Sequence, residues 1–232
     1  MFPNINCKRL LKEDIEIPCK ELALYLLGKI LVRKLGDGSI LKGIIVETEC
    51  YLGGEDKASH SFNGRRTSAN EPMYMPAGTT YVYMTYGMYY CLNISSKEPG
   101  AAVLLRAIEP LCGIDIMKSS RAQKNKRGKQ IETISKLCDG PSKLCNAMNI
   151  TKENCNKIDL TDLKNEDIWL EEHPEIVEDF TVVHTSRIGI NNAGEWTTRP
   201  LRFYILGNKC VSKRDKLAEK ELLANCDNKD YK

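Results

Sequence analysis

Two carboxylates one residue apart, Glu47-Thr48-Glu49, close an apolar run rich in Ile and Val. Side chains two apart on a strand share a face, so a strand here presents both carboxylates to one side. A carboxylate at a strand end beside a loop can take a proton from water as a general base. It can equally be a charged edge that discourages strand pairing. A tyrosine-rich run follows from Tyr81 to Ile94, with Tyr86-Gly87 between two strand-like halves. Glycine readily supplies the positive φ of a tight hairpin turn, which puts Tyr86 at a tip where burial within one chain is difficult. Alternation sets Tyr81 and Tyr83 on one face and Val82 and Met84 on the other. This is either an ordinary tyrosine-rich sheet or a wedge of the kind that proteins insert between base steps to open a duplex. Arg106 follows the apolar run Ala101–Leu105. It is either the point where a strand emerges into water or an active-site cation. His60 and Asn93 are ambiguous by themselves, since a lone histidine is more often a hydrogen-bonded structural residue than a catalyst.

The elements that must position these residues are legible in outline. Glu21–Leu27 reads as a helix end closed by Gly28. Lys29–Leu35 and Ile40–Tyr51 read as partner strands across a turn at Gly36, Asp37 and Gly38. Residues 63–78 are polar and marked by Pro and Gly, hence loop-like. Tyr81–Ile94 reads as a second hairpin and Ala101–Ile108 as a buried strand. Gly113–Arg121 and Ser142–Met148 suit helices, the latter opened by Pro141. Leu201–Leu206 is a late strand and Lys216–Ala224 a surface helix. Strands and helices do not alternate regularly, which predicts an α+β fold rather than a doubly wound sheet.

Composition bounds the rest. A chain of 232 residues can bury enough surface to fold without staples. No apolar run approaches the roughly 20 residues that span a bilayer, and Met1 to Leu11 lacks the apolar stretch of a signal peptide. An intracellular protein is expected, in cytoplasm or nucleoid if bacterial and in the nucleus if eukaryotic. The ten cysteines include no C-x-x-C pair, so neither a zinc site nor a redox motif is suggested; small buried thiols are expected. Net charge is only +3. Lys118, Arg121, Lys124, Lys126, Arg127 and Lys129 nevertheless cluster without an intervening acid. Residues 118–131 are expected to form a flexible basic loop, solvated or in contact with phosphates. One domain over 1–232 is expected, with residues 1–12 and 212–232 peripheral.

Taken together, these residues resemble the alkyladenine (3-methyladenine) DNA glycosylase family. The matching text is Gly43 to Gly53, Ala58-Ser59-His60-Ser61, Tyr81-Val82-Tyr83, Tyr86-Gly87-Met88, Cys91-Leu92-Asn93-Ile94 and Val103 to Pro110. Gly140-Pro141-Ser142-Lys143-Leu144, Gly194-Glu195-Trp196 and Arg199 to Tyr204 also fit, so the resemblance runs from about Leu22 to Val211. It implies a curved, mainly antiparallel sheet with surrounding helices and a protruding β-hairpin that enters the DNA minor groove. It further implies a monofunctional DNA repair glycosylase acting on duplex DNA as a monomer, with no metal or cofactor and no strand cleavage. The substrates would be alkylated or deaminated purines of the 3-methyladenine, 7-methylguanine and hypoxanthine class, and the product an abasic site.

The resemblance also assigns roles. Glu49, and not Glu47, matches the general base, and Arg106 a residue that helps hold the attacking water. Tyr51, His60 and Tyr83 match the walls that sandwich the flipped base. Asn93 matches the residue that disfavours the 2-amino group of guanine, and Tyr86 the side chain that fills the space the nucleotide leaves. Met88, Tyr89 and Lys143 are candidate DNA contacts. Cys50 stands where a small residue is common; on a strand it faces away from Glu49, and a packing role is expected. Flipping costs a few kcal/mol, and stacking on aromatic rings returns roughly 1–3 kcal/mol per base. A purine made cationic by alkylation gains about 0.5–2 kcal/mol over a tyrosine face. Two other readings fit parts of the pattern: a damaged-DNA binding module without catalysis, and a nucleoside hydrolase. Retention of Glu49 and Arg106 argues against the first, and the Tyr86 wedge against the second.

Overall fold

The computed structural model describes residues 7–123, 133–174 and 180–227. Among them, eight strands form one antiparallel sheet: β1 (Ile30–Lys34), β2 (Ile40–Tyr51), β3 (Thr80–Thr85), β4 (Tyr89–Ser95), β5 (Ala102–Cys112), β6 (Ile168–Glu171), β7 (Val182–Thr185) and β8 (Arg202–Ile205). The order across the sheet is β3-β4-β5-β2-β1-β6, while β8 pairs with β2 beyond the end of β1, and β7 with β8. The described helices are α1 (Lys12–Ile15), α2 (Cys19–Tyr25), α3 (Ile114–Gln123), α4 (Pro141–Ala147), α5 (Lys152–Cys155) and α6 (Lys216–Asp227). The mixed α+β architecture is the one the irregular element order predicts. No helix among the described residues is long and apolar enough to cross a membrane.

The long strand β2 sits at the centre, covered on both faces. Ile45 packs into the main core with Leu22, Leu31, Leu92 and Leu105, whereas Ile44 and Val46 belong to a second cluster with Val183 and Tyr204, against which Leu222 of α6 packs. Burial on both sides is why this strand reads as a nearly continuous apolar run instead of a clean alternation. Its pairing with β5 passes from Ile45–Ile108 to Glu47–Ala107 and then to Thr48–Leu105, passing over Val46 and Arg106. Such an irregularity shifts the two-residue period. Before it, Ile45 faces the main core; after it, Thr48 Oγ1 bonds the Ala23 carbonyl of α2 at 2.8 Å, and Cys50 joins that same core. Glu47 and Glu49 are thereby turned away from α2 and the main core. Unbroken alternation would have aimed them, with Ile45, into the main core.

The β3–β4 hairpin ends in a turn where Tyr86 (φ 52°) and Gly87 (φ 66°) are both left-handed. The Met88 N–H bonds back to the Thr85 carbonyl at 3.2 Å, as in a type I′ turn. Glycine adopts this conformation freely, but a tyrosine there costs about 1–2 kcal/mol. Tyr86 is 88% exposed.

Two expectations about the periphery are corrected. The expected Gly113–Arg121 helix is present as α3 and runs on to Gln123, with Met117 buried, so residues 118–123 are helical and not part of the expected basic loop; the rest of that loop, from 124 to 131, lies outside the described residues. Within residues 212–227, expected to be peripheral, two contacts reach the buried interior. Ser212 bonds Glu47 through both its N–H and its hydroxyl, and Glu219 of α6 is buried against the Tyr204 hydroxyl at 3.0 Å. Near the N-terminus Leu10 is fully buried.

Candidate active site

Arg106 lies in the middle of β5 and is 6% exposed, so it is not the point where a strand meets water. Two β strands running side by side bring it against both glutamates. Its Nε donates to Glu47 Oε1 at 3.1 Å and its Nη1 lies 3.2 Å from Glu49 Oε1. Burial alone would lower the Arg106 pKa, but Glu49 and then Glu47 more than offset it, and the guanidinium stays charged.

The two carboxylates, equivalent by spacing alone, differ in surroundings. Both are fully buried. Glu47 also accepts from Arg202 Nη1 at 2.8 Å, the Ser212 N–H at 2.6 Å and the Ser212 hydroxyl at 2.8 Å. Its two oxygens are occupied by structure. Glu49 Oε1 accepts the Ile188 N–H at 2.8 Å, and Oε2 accepts the Tyr51 hydroxyl at 2.8 Å. Burial, and then the Glu49 charge, push the Tyr51 pKa well above its usual range, so the phenol remains a donor. A carboxylate oxygen can accept more than one bond, and Oε2 carries only this one within the described residues.

Above Glu49 opens a cavity of about 310 Å³, within the size range of small-molecule sites. Tyr51, Arg106 and Ile188, the three groups that hold Glu49, all line it. The carboxylate therefore sits one hydrogen bond below the floor. His60, Tyr83 and Asn93 also line the cavity, and Tyr86 stands at its rim. The His60 ring meets Tyr83 edge-on at 4.6 Å between centroids, and its Nδ1 is 2.9 Å from the Tyr81 hydroxyl. Burial raises the Tyr81 pKa to about 12 and also raises that of Tyr83, with Cys91 contributing; both phenols are neutral at pH 7. Asn93 is buried and anchored by its Nδ2 donating to the Tyr81 carbonyl at 3.0 Å. Thus one cavity brings together Tyr51, His60, Tyr83, Asn93 and Arg106, with Glu49 below it.

The three candidate DNA contacts lie outside this cavity. Met88 (57% exposed) and Tyr89 (40% exposed) flank the hairpin tip. The Lys143 ammonium is 2.8 Å from the buried Asp139 carboxylate. Cys50 is buried in the main core, facing away from Glu49.

Residues that sequence reasoning did not single out complete the site. Arg187 stacks over the Tyr51 ring, Cζ 4.6 Å from its centroid, and pairs with the fully buried Asp56. Ile188 supplies its backbone N–H, and Arg202 and Ser212 hold Glu47. A backbone donor leaves no signature in residue type; Asp56 is one of three consecutive charged residues, Glu55-Asp56-Lys57, and Arg187 a lone charge between Ser186 and Ile188. Only Arg202, inside the Arg199–Tyr204 motif, carried a signal. Around the site, three buried carboxylates, Glu47, Glu49 and Asp56, face three buried guanidinium groups, Arg106, Arg187 and Arg202. A fixed carboxylate under a narrow aromatic slot, with cations that cannot swing away, is suited to activating water beside a flat, electron-poor ring.

A family model described as Methylpurine-DNA glycosylase (MPG) matches residues 13–209. The chain is 48% identical over 221 residues to the DNA-3-methyladenine glycosylase of Mus musculus, covering 94% of this chain and 65% of that protein. It is 46% identical over 224 residues to the DNA-3-methyladenine glycosylase of Homo sapiens, covering 96% and 74%. It is 51% identical over 199 residues to a protein of Encephalitozoon cuniculi named "Probable DNA-3-methyladenine glycosylase", covering 86% and 90%. The chain thus spans just under two thirds of the length of the mouse relative and nine tenths of the last.

Proposed function

The chain belongs to the methylpurine-DNA glycosylase family, and from that premise we propose that it is a base-excision repair glycosylase that flips damaged purines from duplex DNA and hydrolyses their N-glycosidic bond. The observation that carries this reading is the Glu49 carboxylate, pinned by Arg106, Tyr51 and the Ile188 N–H beneath the aromatic cavity. Water attacks C1′ as the bond to the purine nitrogen breaks. Glu49 takes the water's proton, and its charge stabilises the cationic sugar as it forms. The electron pair of the broken bond neutralises an alkylated purine, which is why a cationic base leaves well. Arg106 holds the water, and Tyr51, His60 and Tyr83 sandwich the base. The strained, exposed Tyr86 fills the gap left in the duplex. Asn93, with its Nδ2 turned inward to the Tyr81 carbonyl, disfavours the 2-amino group of guanine. Met88 and Tyr89 flank the wedge at the minor groove. Lys143, already paired with Asp139, contributes to phosphate binding at most through its remaining donors. The enzyme acts as an intracellular monomer on alkylated purines such as 3-methyladenine and 7-methylguanine, and on hypoxanthine.

The test is to incubate the protein with duplexes carrying each lesion and measure the free base released. Release of 3-methyladenine with the DNA strand left uncut is expected; binding without release would leave only a damage-recognition module. The same assay run against pH probes His60. Desolvation by its neighbours, and then Arg65, hold its pKa below 6.5, so the ring is neutral at pH 7. As pH falls through that lowered pKa, an imidazolium forms against the base. Release of cationic 7-methylguanine should then fall relative to release of neutral hypoxanthine. A ratio that stays constant from pH 7 to acid would remove His60 from the cavity wall.

A further inference from the structure

Asp56 and Arg187 form a two-pronged ion pair, Nη1 to Oδ2 at 2.6 Å and Nη2 to Oδ1 at 2.8 Å, with both side chains fully buried. Removing two charges from water is costly, and apolar side chains of similar volume often serve stability as well or better. The cost here is larger still, because Arg187 Nε is buried without a hydrogen-bond partner. Stability is therefore a poor account of the pair.

Its connections suggest another. The Asp56 carboxylate also accepts the Leu52 N–H and the Ala58 N–H, each at 3.0 Å, and so closes the loop that leads from Tyr51 to Ala58 and His60. Gly53 lets that loop lie flat on the start of β5: it is left-handed (φ 71°), and a Cβ there would come within 2.7 Å of the Gly100 carbonyl oxygen. On the other side, Arg187 donates to the Cys50 carbonyl at 3.0 Å and covers the outer face of the Tyr51 ring. Its own backbone leads directly into Ile188, whose N–H holds Glu49 and whose side of the cavity continues through Gly189 and Ile190. One ion pair thus ties together three walls of the cavity: the Tyr51 ring, the Ala58–His60 loop and the segment 188–190.

We propose that the Asp56–Arg187 pair is a positioning clamp that sets the width of the base slot and the placement of the Glu49 carboxylate beneath it. The proposal rests on the reading of the cavity as a flipped-base site. A displacement of 1 Å at a reacting group can cost about 10²-fold in rate, so a small relaxation of these walls is enough to be measured.

The decisive variant is Asp56→Leu combined with Arg187→Met, which replaces the pair by apolar side chains. Its half-saturation concentration for damaged duplex is expected to match wild type, while its unfolding midpoint falls, because the Leu52 and Ala58 N–H groups and the Cys50 carbonyl lose their partners. Its maximal single-turnover rate of 3-methyladenine release should drop roughly 10–100-fold. A folded double variant that releases base at the wild-type rate overturns the clamp. Should the double variant not fold, Arg187→Lys keeps the charge but loses the planar fork and its stacking on Tyr51. The same drop in rate without a change in half-saturation is expected there, and a wild-type rate again overturns the proposal. Wild-type protein that releases no base at all would instead remove the reading of the cavity itself, and the clamp with it.

Discussion

Glu49→Gln is expected to lower single-turnover base release by about 10²–10⁴-fold while leaving affinity for damaged duplex nearly intact. The substitution is close to isosteric, and the geometry lets it keep every contact. The amide oxygen can still accept from the Ile188 N–H and face Arg106, and the amide nitrogen can donate to the Tyr51 phenol oxygen. What disappears is the ability to accept a proton and the negative charge beneath the forming sugar cation. The cavity above is untouched. The measurement is a single-turnover excision assay beside a binding titration on the same lesion duplex. Excision at the wild-type rate would exclude Glu49 as the base. Parallel loss of rate and affinity would instead point to a collapsed site.

Glu47→Gln should produce the opposite pattern, a loss of stability larger than the loss of rate. Glu47 is fully buried and is the charged partner of both Arg106 and Arg202. Removing one member of a buried charge network costs about 3–5 kcal/mol, because the remaining charges stay desolvated without compensation. For a domain of this size each kcal/mol moves the unfolding midpoint by roughly 2–4 °C, so a fall of about 6–20 °C is expected in a thermal melt. At a temperature where the variant is folded, base release should suffer far less than in Glu49→Gln, since Glu47 is separated from the cavity by Arg106. An unchanged melting curve would contradict the structural role. A rate loss equal to that of Glu49→Gln would remove the distinction between the two carboxylates.

That distinction shows how far local pattern carries. The 40–51 run, with its β-branched residues, marks β2 at both ends, and Tyr86-Gly87 marks the hairpin turn, because a left-handed pair of residues has few sequence solutions. By contrast, β6 and β7 have four residues each, too few to display a period, and α1 and α5 are single turns. Arg106 read as a strand end because an arginine inside an apolar run usually marks water. Here the run continues to Cys112 and the charge is met by Glu47 and Glu49.

By itself, then, the sequence determined the α+β class, the tyrosine-tipped hairpin and the set of side chains from which a site could be built: Glu47, Glu49, Tyr51, His60, Tyr83, Asn93 and Arg106. Spacing suffices for the class, the hairpin tip and the Glu47/Glu49 pair, because strand periodicity and turn chemistry act over a few neighbours; Tyr51, His60, Tyr83, Asn93 and the choice of Arg106 as an active-site cation rest on the family resemblance. Only the tertiary structure decided which carboxylate lies under the cavity and which is consumed by Arg202 and Ser212. It also decided which face of β2 the pair occupies, through the irregular pairing near Val46 and Arg106, and it brought Asp56 against Arg187 from 131 residues away. The reason is physical. Whether a buried charge is free or committed depends on which partners the fold delivers to it, and those partners are backbone groups and distant side chains that local pattern does not encode.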